Sequence, residues 1–74
     1  MKKIQSVLFP RKQWSKLQAK DYLKYNGYKF NDIDTTINFY RFRQRRPSKK
    51  VKYYTGTMYS GNKKIEYIYY FAYK

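Results

Sequence analysis

The sequence predicts an α+β fold of two layers, ordered β-α-β-β-β, with one mainly antiparallel sheet and a single covering helix. Three observations carry that prediction. Residues 15–25 are the one stretch with a helical period and signals at both ends. Residues 38–46 alternate: Phe39, Arg41, Arg43 and Arg45 share one parity, and Tyr40, Phe42 and Gln44 the other. Two aromatic-rich stretches, 51–59 and 63–73, flank Ser60-Gly61-Asn62, a hairpin signal. A chain of 74 residues is one small domain, 1–74.

The first strand is read at 4–9. Val7-Leu8-Phe9 is apolar on both parities, and Pro10 ends the strand because it has no amide proton. The helix follows. Ser15 is a good N-cap, and Gln18 three residues on completes a capping box. Ala19, Tyr22 and Leu23 share a face, while Lys16, Lys20 and Lys24 run down the other. Asn26-Gly27 is the stop, with Gly27 expected in the left-handed region. Residues 28–34 read as a connector and hold Asp32 and Asp34.

The second strand is read from 35 or 36 to 46. Pro47-Ser48 breaks it. On this strand Arg41, Arg43 and Arg45 would form a ladder of cations roughly 6–7 Å apart on one face. The hairpin closes the chain. Its last strand carries Ile65, Tyr67, Tyr69, Phe71 and Tyr73 on one face and Ile68, Tyr70 and Ala72 on the other. One face fits under the helix. The other would be bare, and a bare aromatic face predicts a homodimer.

Composition narrows the chemistry. There are 18 Lys plus Arg against 4 Asp plus Glu, a net charge of +14. Such charge opposes compaction and attracts polyanions. Eleven Tyr, five Phe and one Trp supply rings for a small core. There is no Cys or His, which excludes a disulfide and a His/Cys metal site. Asp32 and Asp34 are the only close carboxylate pair, and turn acids are ordinarily turn formers. No catalytic residue, cofactor, metal or small-molecule substrate is therefore expected. No apolar run is long enough to span a membrane, and the start of the chain is too short in apolar residues for a signal peptide.

From Arg41 to Lys52 there are seven basic residues and no acid. Arg41, Arg43, Arg45, Arg46, Lys49, Lys50 and Lys52 are the candidate nucleic-acid-binding residues, joined by Arg11 and Lys12. A stiff arginine ladder favours double-stranded DNA, along the backbone or in the major groove. Tyr40, Phe42, Tyr53 and Tyr54 would favour RNA or single-stranded DNA if exposed; Tyr40 and Phe42 are assigned to the core. The alternative is a structural or interaction protein: a minor virion component, or an inhibitor that binds an acidic protein surface.

Several segments together resemble small modules of tailed phages, giant DNA viruses and their virophages. They are Val7-Leu8-Phe9-Pro10-Arg11-Lys12, Trp14-Ser15, Ala19-Lys20 with Tyr22-Leu23-Lys24, Asn26-Gly27-Tyr28, and Asn38-Phe39-Tyr40-Arg41-Phe42-Arg43-Gln44. Tyr22 stands where those modules commonly have Trp, and Phe39 where they have Tyr. The resemblance implies a viral, virophage-type protein of the infected host cell, in the viral factory or the virion. It carries no activity with it. Transcription regulation and genome packaging are the roles that the charge suggests in such a setting.

Overall fold

The central strand is β1 (Lys2–Pro10), and the rest of the chain is laid out on both sides of it. The computed structural model describes residues 2–71. Helix α1 (Lys16–Tyr25) follows β1, then β2 (Ile33–Thr35), β3 (Phe39–Arg43), β4 (Tyr54–Ser60) and β5 (Lys63–Phe71). All strand pairs are antiparallel, in the order β2-β3-β1-β5-β4. The molecule is a two-layer α+β fold with one sheet and a single helix among the described residues.

Local chemistry explains α1. The Ser15 hydroxyl accepts from the Gln18 amide at 3.1 Å, and the Gln18 carbonyl oxygen accepts from the Ser15 amide at 3.0 Å. Two orphan donors are satisfied reciprocally. At the other end Gly27 has φ +78°, Tyr28 N–H bonds Leu23 C=O at 2.8 Å, and Gly27 N–H bonds Lys24 C=O at 3.3 Å. That pair of bonds is a Schellman stop. Ala19 and Leu23 are buried against Val7, Phe9, Trp14, Phe42 and Ile65. Phe9 sits among Trp14, Tyr22 and Phe42 in edge-to-face contacts of 4.9, 5.8 and 5.6 Å.

The second strand is shorter than its sequence suggests. Residues 35–46 are not one strand: Thr35 belongs to β2, and β3 covers only Phe39–Arg43. The Thr36 hydroxyl takes the Phe39 amide at 3.0 Å and closes a turn between them, leaving Ile37 89% exposed. A run of β-branched residues looks extended, but a hydroxyl that bonds its own backbone diverts it. β2 itself arises inside the expected connector, so there are five strands rather than four.

The far end of β3 is set by β1. The register against β5 slips between Ile4 and Ser6, a bulge at Gln5. Both Gln44 N–H (2.7 Å) and Arg45 N–H (3.3 Å) turn onto the Gln5 carbonyl. A regular ladder cannot pass a point where two donors share one acceptor, so β3 stops at Arg43. The β4–β5 hairpin turns on Gly61-Asn62 with Gly61 at φ +62°, where a two-residue loop needs positive φ. Ala72 and Tyr73 lie outside the described residues.

Candidate nucleic-acid interface

The sheet separates the predicted basic residues into different surroundings. Arg41 and Arg43 share the face opposite α1, as their alternation requires. They are not free cations pointing to solvent. Arg43 reaches Asp34 at 3.0 Å and Asp32 at 3.6 Å, because β2 pairs beside β3 and brings the carboxylates alongside. Arg41 is half-buried, and its Nε donates to Ser6 Oγ at 3.4 Å. Arg45 lies beyond the end of β3. The three-rung ladder is therefore not formed: one rung is capped by acids and another is off the strand. The one close carboxylate pair is likewise taken up by a guanidinium.

Arg11 and Lys12 do not join the others. Arg11 donates to the Thr36 carbonyl at 2.8 Å and lies 5.4 Å from the centroid of the Tyr40 ring. It clamps the β2–β3 turn. Gln5 and Arg11 are about 20 Å apart along β1, at ~3.3 Å per residue, so Arg11 and Arg45 mark opposite ends of the sheet. Arg46, Lys49, Lys50 and Lys52 are exposed in the segment between β3 and β4. Phe42 is fully buried and Tyr40 packs on the core, as expected.

What the fold does assemble is a cleft of about 370 Å³ at the Gln5 end. Lys2 and Lys3 come from the start of β1, Lys29 from the loop after α1, and Arg45 from the chain leaving β3. No carboxylate lines it. Two glutamines hold it in shape. Gln44 Nε2 donates to the Lys29 carbonyl and its Oε1 accepts from the Lys29 amide, both at 2.8 Å. This two-point clasp fixes Lys29 beside Arg45. Gln5 is buried, and its Nε2 donates to the Arg45 carbonyl at 2.9 Å. Its Oε1 accepts from Ser6 Oγ at 2.6 Å, so Arg41, Ser6, Gln5 and Arg45 form one chain of hydrogen bonds.

Four basic residues and no carboxylate line this cleft, which makes it a candidate site for a polyanion. Lys2 and Lys3 leave opposite faces of β1, and the Lys2 ammonium lies over the Tyr67 and Tyr69 rings. Only Arg45 of the four was legible as a candidate from sequence. Lys2, Lys3 and Lys29 are far from the basic block along the chain; the pairing of β1 with β3 brings the start of β1 near it, and the Gln44 side chain holds Lys29 there. Compared with family models, curated proteins and solved structures, the chain matches none of them.

Proposed function

We propose that this protein binds nucleic acid by its phosphates, with the Lys2, Lys3, Lys29 and Arg45 cleft as the anchor. The supporting observation is that these four basic residues, and no carboxylate, line one cleft. Arg46, Lys49, Lys50 and Lys52 extend the basic surface toward β4. Phosphate contacts supply affinity without sequence information. Duplex DNA remains within reach of such contacts, but the stiff ladder that favoured it over a single strand is absent. No catalytic step belongs to this reading. In a virus, such binding would serve genome packaging or transcription.

The test is a titration of the full chain with duplex DNA, single-stranded DNA and RNA over a range of salt. Four to seven phosphate contacts give a log-log slope of roughly −3 to −6. Lys29→Glu combined with Arg45→Glu is expected to remove binding while the far-ultraviolet circular dichroism spectrum is kept. A flat salt dependence, or normal binding by this double variant, rejects the cleft as the anchor.

A homodimer belongs to the same proposal. β4 is paired on one side only among the described residues, which leaves a strand edge for a second copy. Sedimentation at micromolar concentration reads this directly, and a clean monomer excludes it. Among the described residues no helix is long and apolar enough to cross a membrane.

A further inference from the structure

The helix is too short for the sheet it covers. Ten residues of α1 span about 15 Å, whereas nine residues of β5 span about 30 Å. Ile65 lies under the helix in the core. Tyr67, Tyr69 and Phe71 continue along the same face and run out from beneath it, joined by Tyr54 from β4. Their ring centroids are 5.5 Å (Tyr67–Tyr69) and 5.8 Å (Tyr69–Phe71) apart. Tyr54 stacks on Tyr69 at 5.6 Å with only 26° between the planes. Gly56 sits opposite Tyr67, and any Cβ there would collide with the Tyr67 ring. The absence of a side chain lets that ring lie down across β4.

Cations border this strip. Lys2 Nζ lies 4.9 Å from the Tyr69 centroid and 5.4 Å from that of Tyr67, and Lys52 Nζ lies 5.6 Å from that of Tyr54. Among the described residues no carboxylate occupies this face of β4 or β5. At its end is an open concavity of about 350 Å³ lined by Lys50, Val51, Lys52, Tyr54 and Phe71. Tyr54 is 38% and Phe71 54% exposed. Lys2 lines the cleft and its ammonium lies over the strip.

Building on the nucleic-acid reading, we infer that the concavity lined by Lys50, Val51, Lys52, Tyr54 and Phe71, beside the edge contact of the Tyr54 and Phe71 rings (5.8 Å), takes an unpaired base, so that the protein prefers single strands. A base offers a flat π-face to extend the Tyr54–Tyr69 stack, while its flanking phosphates meet Lys2, Lys50 and Lys52. A duplex keeps its base faces stacked internally and offers only phosphates here. A second copy of the chain fits poorly, because its own Lys2, Lys50 and Lys52 would be brought against these.

The experiment compares a short oligothymidylate, an abasic strand of equal length and a duplex, each with the full chain at physiological salt. Oligothymidylate is expected to bind more tightly than the abasic strand by roughly 5- to 150-fold per stacked base. Tyr54→Ala is expected to reduce that advantage and leave duplex affinity unchanged, while Tyr54→Phe retains it. Equal binding of the abasic strand and oligothymidylate overturns the inference whatever the variants do. If Lys29→Glu with Arg45→Glu loses all binding while Tyr54→Ala changes nothing, the cleft stands and the base site falls. If wild type binds none of the three, the nucleic-acid reading falls first. If Tyr54→Ala changes only self-association in sedimentation, the strip is an interface between copies and the inference is wrong.

Discussion

Tyr22 shows how one side chain ties packing to solution behaviour. It sits 5.8 Å from Phe9 and 5.7 Å from Trp14, ring centre to ring centre. Burial pushes its phenol above the ordinary value of 10.0, with a smaller push from the neighbouring Tyr28. The unfolded chain releases this proton first as pH rises. Between the two pKa values the unfolded state therefore binds fewer protons, and stability falls with pH. The contribution is whole below about pH 10 and is lost as pH climbs through the raised folded value. Denaturation midpoints at about pH 8 and about pH 11 should differ more for wild type than for Tyr22→Phe. Equal losses would show that Tyr22 ionises as freely folded as unfolded. Arg43 teaches a related lesson. Its two carboxylate partners are more than half exposed, so the pairing is worth at most about 1 kcal/mol. It nevertheless removes a cation from the proposed binding surface.

At the scale of elements, the bulge in β1 decides the site. Gln5 is a buried polar residue whose side-chain oxygen and nitrogen each have a partner: it receives Ser6 and holds Arg45. In Gln5→Ala the Ser6 hydroxyl and the Arg45 carbonyl lose a partner, a cost of about 1–3 kcal/mol. Urea unfolding should show that loss, and affinity for oligonucleotides should fall several-fold because Arg45 is released from the cleft. A variant destabilised as predicted but unaltered in binding would show that Arg45 needs no fixed backbone. The helix contributes differently. Its capping box and Schellman stop were readable from Ser15, Gln18 and Gly27, since each depends on neighbours within a few residues. The end of β3 was not readable. Arg43-Gln44-Arg45 continues the alternation perfectly, and nothing local marks where a bulge in a strand nearly forty residues earlier takes the hydrogen bonds away.

For the whole molecule, the charge balance dominates. Eighteen cations face four acids, and only three ion pairs form among the described residues. One of those pairs, Lys64 with Glu66, is loose at 3.7 Å. The fold therefore carries its own repulsion. Salt screens it: the Debye length falls to about 10 Å at 0.1 M. The Tm should rise with sodium chloride. A Tm that drops with added salt would show that attraction, not repulsion, sets the electrostatic balance. The elongated shape, 35 × 22 × 21 Å, has the same origin as the exposed strip. A single short helix covers part of the sheet and leaves the β4–β5 end uncapped.

Alternation, capping residues and turn glycines determine the two-layer class, the helix with both its ends, the final hairpin and the burial of Phe42, because these rest on periodicity and on contacts between near neighbours. Tertiary structure alone decided which cations stay available. Strand pairing places Asp32 and Asp34 on Arg43, ends β3 before Arg45 and brings Lys2 and Lys3 to the cleft where Gln44 holds Lys29. The physical reason is range: a side chain's facing follows from its place in the strand, but its partners follow from register between strands far apart in the chain.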